Sequence, residues 1–427
     1  MSQLRELLKI RDYRYLWLAQ ILSDFGDNLT FFTLLILIQR LTGSTVALAG
    51  LMVAIALPTL IFGTLAGVYV DRVDRKKAMM FSDLLRAFVV LGFLFVRSEE
   101  LIPLIYVIGF VQASIGTAFN PARAAFLPGV VGTDRLLAAN SVSHTSRIVF
   151  NLLGTGAAGI LAAVAPTLAP AFIIDSATFF TSFLLISRIH TSGVPEKAEE
   201  SRVWAEMKAG FLVMIGSKSL RAVMIALSVT MLGLGAVNVL FVPFLVDDLN
   251  VSEMFLGPVE ASQVAGLVVS GTIVALLATR LRPSSLVSAG LLGVGVFVGA
   301  ISGATAVWHI MVTLFFVGLS VGPVQAGANT LSQTLIEDSM RGRVGGALST
   351  LVSGANIVSM GLAGVAAAAV GTRNVFLLSG ALVFFSGLLA LVLFRELRST
   401  SRSEAGRMVS LSRGQRSDFE DEVVTEA

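Results

Sequence analysis

The chain has 427 residues, 55% of them hydrophobic and 14% charged, with a mean hydropathy of +0.83. Soluble domains carry about 25% charged residues, so this chain belongs in lipid. The absence of cysteine excludes disulfides and thiolate chemistry, the three dispersed histidines (His144, His190, His309) give no metal-ligand spacing, and a net charge of +3 scattered over loops is not a nucleic-acid footprint.

A membrane-crossing helix needs about 20 apolar residues, which leaves room for about a dozen here. The N-terminal stretch to Tyr15 is charged and lacks a cleavable signal pattern, so the first span is expected to remain as its own insertion signal. Hydropathy predicts spans over 15–39, 45–70, 78–96, 102–127, 139–164 and 170–189. A polar connector from His190 to Lys218 follows. Within it Val203, Trp204, Met207, Phe211 and Leu212 fall at helical spacing, which predicts an amphipathic helix on the membrane surface. Six further spans are predicted over 220–246, 256–279, 284–303, 306–333, 343–370 and 374–394. The polar, mixed-charge tail 395–427 is expected to be disordered.

Charge placement predicts orientation. Arg5, Lys9, Arg11 and Arg14 precede span 1, and Arg72, Arg75, Lys76 and Lys77 separate spans 2 and 3. Arg135, Arg280, Arg282, Arg341 and Arg343 fall on the same side. The other side has chiefly Arg40, Arg97 and Arg373, with the acids Asp247, Asp248 and Glu253. Both termini are therefore expected in the cytoplasm of a cell whose plasma (inner) membrane holds the protein. The halves also repeat weakly. Asp71-Arg72 aligns with Thr279-Arg280, and the stretch from Pro128 through Arg135 to Gly159 aligns with that from Ile336 through Arg341 to Gly364.

The stretch Gly67-Val-Tyr-Val-Asp71-Arg72-Val-Asp74-Arg75-Lys76-Lys77 resembles the signature loop between helices 2 and 3 of major facilitator superfamily transporters. In that reading Gly67 permits a close helix approach, Asp71 caps or pairs at a helix end, and Arg72, Arg75 and Lys76 anchor the loop. The segments Leu16 to Asp27, Ser82 to Ala87, Phe119 to Arg123, Ala139 to Ser141 and Arg341 to Val344 are similar to the macrolide-efflux group, which includes enterobactin-exporter-like proteins. The resemblance implies an all-α membrane fold of twelve helices in two pseudo-symmetric six-helix bundles, 1–189 and 219–394, that rock about a midplane site. It implies transport, with no enzymatic activity, no cofactor and no metal. Two departures stand out. Span 5 reads Gly154-Thr-Gly156-Ala-Ala-Gly159, without the proline of the usual antiporter pattern, and the second signature loop has Thr279 in place of the aspartate. Phe25-Gly26-Asp27-Asn28 is also similar to bacterial lysophospholipid transporters.

An ionisable residue inside a span costs roughly 2.5–3.5 kcal/mol on insertion scales and calls for a reason. Asp24 and Asp27 lie three apart near the middle of span 1, on neighbouring parts of one helix face. Two carboxylates so close repel, so Asp27 is the first candidate to carry a proton and Asp24 the second; the alternative is that one acid simply pairs with a basic residue, or accepts backbone bonds, and never titrates. Arg123 and Arg147 are the candidate cationic partners, with loop anchoring as the other role for Arg123. Asn151 and Asn238 are candidate cavity amides. Asp83 and Arg86 are expected near the cytoplasmic boundary as partners of the signature loop, and Asp175 and Glu260 as solvated acids near outer helix starts. The expected activity is proton-coupled export of hydrophobic or amphiphilic small molecules by a monomer in contact with membrane lipid, without nucleic acid. Lipid or lysophospholipid transport is the alternative, and a transporter-like receptor or an intramembrane enzyme the third reading.

Overall fold

The computed structural model describes residues 2–194, 203–277, 281–336 and 340–394. The tail 395–427, Thr279-Arg280 and the connector segment 195–202 lie outside these. Among the described residues there are no strands, and twelve helices are long and apolar enough to cross a membrane. They are span 1 (Arg11–Thr42), span 2 (Thr45–Gly63, within a helix Thr45–Val70), span 3 (Arg75–Phe95), span 4 (Glu99–Val131), span 5 (Thr133–Val164) and span 6 (Ala169–Ser187). The second six are span 7 (Leu220–Asp248), span 8 (Glu253–Leu276), span 9 (Pro283–Gly303), span 10 (Val307–Thr334), span 11 (Arg341–Val370) and span 12 (Thr372–Phe394). Every predicted span coincides with one of them.

Short polar signals set the boundaries. Gly43, at φ 59°, ends span 1 in the left-handed region where a side chain is strained, and Ser44 caps span 2 by accepting from the Ala47 N–H at 3.3 Å. Asp74 starts span 3 by accepting from the N–H groups of Lys76 (3.0 Å) and Lys77 (3.2 Å). Span 4 breaks at Thr117-Ala118, because Pro121 has no N–H to offer the Thr117 carbonyl.

Within the first bundle span 1 packs on spans 5 and 6, span 3 on span 6, and span 2 on span 4. Within the second, span 10 packs on spans 8 and 9 and span 7 on span 11. The bundles meet through span 2 against span 11 and span 5 against span 8. Exchanging each span with its counterpart six places away converts one of these contacts into the other, as a pseudo-two-fold axis requires. The repeat in the sequence follows the same axis. Gly159 of span 5 packs on the Glu253 carbonyl where span 8 begins, and its repeat mate Gly364 of span 11 packs on the Thr45 carbonyl where span 2 begins. The small-residue run of span 5 is thus used for close approach without its proline. Gly154 faces the backbone of Phe25, Gly156 faces Gly257, and a Cβ at Gly154 or Gly159 would collide with main chain.

All these inter-bundle contacts gather at one face, here the far face. The opposite face, which carries the 67–77 loop, is the basic face. There the bundles diverge around a recess of about 590 Å³ lined from spans 2, 4 and 11 by Thr59, Gly63, Asn120, Ser349 and Ser353. The connector helix Val203–Gly216 packs on the start of span 11, with Gly210 against the Arg343 carbonyl. Leu212 and Ile215 are exposed on it, while the side chains of Trp204 and Met207 lie outside the described residues.

Candidate functional site

The polar stretch of span 1 organises the interior of the first bundle. Gly26 has no Cβ, so span 6 comes close enough for Asp175 and Thr178 to touch it. One residue on, Asp27 forms an ion pair with Arg86 of span 3. Arg86 also lies 3.8 Å from Asp83, one helical turn earlier, and its guanidinium stacks 4.0 Å above the ring centre of Phe179 in span 6. Asp83 accepts a hydrogen bond from Ser182, and Asp175 accepts from Thr30 at 2.5 Å and from Thr178 at 3.3 Å. Spans 1, 3 and 6 are therefore joined by one polar network around a single buried guanidinium. Arg86 Nε and Asp83 Oδ1 are buried without a hydrogen-bond partner. A network with unused capacity is suited to rearrangement, since a second arrangement can fill it.

Three expectations are corrected here. Asp83 and Arg86 are not at the boundary with the signature loop. Span 3 starts at Arg75, and at 1.5 Å per residue Arg86 sits roughly 16 Å along it, deep in the bundle. Asp175 is fully buried instead of solvated, because six residues of span 6 precede it and Gly26 draws it inward. The cation paired with Asp27 is Arg86 of span 3, in place of the expected Arg123 or Arg147. Of the two span 1 aspartates, Asp24 is the one in no ion pair between described residues; it accepts from Gln20 at 3.4 Å. Its electrostatic neighbours are Asp27, Arg147 and Arg123. Neither arginine is in an ion pair between described residues; Arg147 is exposed, and Arg123 Nε is buried without a partner.

The 67–77 loop is tied to its own bundle. Arg75 donates to the Ala125 carbonyl at 3.0 Å, and Lys76 donates to the carbonyls of Ser187 (3.0 Å) and Ile189 (2.7 Å). Asp12 fixes the same corner by accepting from Thr191 and His190. Asp71 and Arg72 are exposed. A Cβ at Gly67 would meet no atom of the described residues within 4 Å, so the expected close approach is not made at this glycine among them.

Between the bundles lies a cavity of about 600 Å³, within the range of small-molecule sites. Phe31, Phe32 and Phe241 supply its aromatic wall, and Met52, Met231 and Met360 give adaptable apolar surface. Its polar groups are Asn28, Asn238, Glu260, Gln263 and Asn356. A side chamber of about 390 Å³ contains Asp27 and Arg86 and shares Asn28, Phe31 and Ile55 with the main cavity. Asn238 is among the residues that line the main cavity. Asn151 is not; its amide oxygen is buried and unpartnered one turn before Thr155. Glu260, expected as a solvated acid, lies in the cavity wall and accepts from Thr155 of the opposite bundle at 3.1 Å.

Polar bridges close the far face. Gln39 donates to Asp247, and Arg40 reaches Glu253 at 2.9 Å while its guanidinium is held by the Ala162 carbonyl at 2.7 Å. Arg40 is one of the few basic residues of that side, and Asp247 and Glu253 are among its acids. The opposite charges were the available signal, and their contact across bundles was not.

Two six-helix bundles about a pseudo-two-fold axis, enclosing a cavity sealed at one face, define a multi-pass transporter of the major facilitator class. The profile of the transmembrane secretion effector family matches residues 6–413, and the chain belongs to this family of major facilitator transporters, which are not enzymes. It is 26% identical over 375 residues to macrolide efflux protein A of Streptococcus pyogenes, covering 86% of this chain and 92% of that protein. It is 28% identical over 392 residues to the MFS-type transporter YfiS of Bacillus subtilis (strain 168), covering 88% and 91%. A bacterial homologue of the human lysosomal transporter Spinster, solved inward-facing and unoccupied, superposes with a TM-score of 0.72 at 13% identity over 90% of this chain and 97% of that one.

Proposed function

We propose that this protein exports hydrophobic or amphiphilic small molecules from the cytoplasm by alternating access, driven by proton entry. The observation that carries the reading is the largely apolar cavity between the bundles, sealed at the far face by Arg40–Glu253 and Gln39–Asp247. The bias of basic residues makes the open face cytoplasmic, with both termini on that side of the plasma membrane. The state described is then the one that loads cargo from inside. The relation to macrolide efflux protein A supports the outward direction.

In this cycle the bundles rock about the cavity. Proton uptake at Asp27 releases Arg86, which turns fully to Asp83, so the chemical event is a change of partner for one buried guanidinium. Asp24, beside Arg147 and Arg123, tunes that exchange. Asp71, Arg72 and Gly67 act when the bundles close at the cytoplasmic face and bring a helix of the second bundle onto the loop. The working unit is a monomer whose outer surface meets lipid. The divisions 1–189, 190–218, 219–394 and 395–427 correspond to two moving bodies, a tether and a tail.

The test is export of a fluorescent amphiphile in proteoliposomes under an imposed pH gradient. Gradient-dependent movement that a protonophore abolishes supports the reading. Equal flux with and without the gradient overturns proton coupling and favours transport of lipid between leaflets. A reporter fused after Ala427 that is accessible from outside intact cells overturns the orientation.

A further inference from the structure

We infer that the cavity is built for a lipophilic cation, with Glu260 as the group that recognises the positive charge; this rests on the exporter reading above and names its class of cargo. Glu260 is the sole ionisable residue among those lining the main cavity. It is in none of the ion pairs between described residues, and Thr155 is its hydrogen-bond donor. None of the described arginines of the first bundle is paired with Glu260. Arg86 serves Asp27 and Asp83, while Arg123 and Arg147 neighbour Asp24. The carboxyl group in the cavity therefore has no cationic partner among the described residues.

A carboxylate taken out of water loses several kcal/mol of hydration, and a hydrogen bond from a neutral hydroxyl restores part of it. A cation arriving in the cavity restores more. The surroundings suit such a guest. Phe31, Phe32 and Phe241 line the same space, and ring faces attract cations as well as apolar groups. The amide oxygen of Asn356, also in the lining, is buried with no donor, and an ammonium N–H would fill it. An anion would meet a carboxyl group with no cation beside it, and a neutral guest would give Glu260 no countercharge.

The position of Glu260 also links occupancy to motion. Its Thr155 bond crosses from the second bundle to the first beside the Gly156–Gly257 contact. A cation that draws the carboxylate off Thr155 removes one inter-bundle bond at the sealed half and favours opening there.

The test compares tetraphenylphosphonium, a permanent cation, with neutral triphenylphosphine oxide. Binding is measured by titration calorimetry on the full chain in lipid nanodiscs, with empty nanodiscs subtracted. The expected result is at least tenfold tighter binding of the cation by the parent. Glu260→Gln should bring the two affinities within about twofold, leaving the neutral compound unaffected, and Glu260→Asp should retain the preference. Thr155→Val, which leaves the carboxylate to the guest, should tighten cation binding and serves as the readout if Glu260→Gln does not fold. Equal affinities in the parent, or a preference that survives Glu260→Gln, overturns the assignment. Loss of gradient-driven transport with that preference intact would make Glu260 a proton carrier instead. If the parent binds neither compound, the exporter reading falls together with this one. If it binds and exports both equally, the cation assignment alone falls.

Discussion

Removing the far-face bridges should shift the protein toward its outward-open state by a calculable amount. The Arg40–Glu253 pair joins side chains that are 40% and 17% exposed, which places it among partly solvated ion pairs. Such pairs contribute at most about 1 kcal/mol, and the upper part of that range applies because the Ala162 carbonyl already holds the guanidinium in place. The Ala162 bond lies within the first bundle, so opening does not break it and it is not counted. Gln39 to Asp247 is a hydrogen bond to a carboxylate, but Asp247 is exposed, so about 1 kcal/mol is appropriate here as well. The double variant Gln39→Ala/Arg40→Ala therefore loses about 2 kcal/mol from the sealed state alone, a shift of about 30-fold in the ratio of states. Arg40→Ala alone should give about 5-fold. The chain has no cysteine, so spin labels at Thr167→Cys and Thr305→Cys, in far-face loops of the two bundles, are unique reporters. Electron–electron distance measurements should show a longer-distance population that grows from parent to single to double variant. Identical distributions in all three, with equal transport rates, would refute the argument that these bridges hold the seal.

Asp27→Asn should abolish gradient-driven export while leaving cargo binding within about twofold, whereas Asp24→Asn should slow export without abolishing it; full gradient-driven activity in Asp27→Asn rules out the partner exchange at Arg86. Arg86→Met should lower stability by about 3–5 kcal/mol, because it strands the fully buried Asp83 and empties the face of Phe179, and adding Asp83→Asn should recover more than half of that loss in a detergent thermal melt. No recovery would mean that packing on Phe179, and not charge, is what Arg86 supplies. Asp71→Asn should reduce the transport rate at unchanged expression and unchanged melting temperature, since Asp71 is exposed in the present state and its proposed role belongs to the other one; equal rates would remove the loop from the cycle.

Much of this protein is written in one dimension. A span is a local property: a run of apolar residues long enough to satisfy its own backbone in lipid, and all twelve coincide with predicted runs. The repeat mates Gly159 and Gly364 were legible because each half solves the same packing problem at the start of a partner helix. The polar face of span 1 was legible because aspartates are rare in lipid. What the sequence did not contain was which helix stands beside which. Asp27 finds its cation in Arg86, 59 residues away, and Asp175 reaches Thr30 across 145. Both contacts depend on spans 1, 3 and 6 meeting, which Gly26 permits and only the assembled bundle determines. The depth of Asp83, Asp175 and Glu260 was misread for the same reason. Distance from a helix end is a poor guide to burial when the neighbouring helix, and not the membrane surface, decides what water can reach.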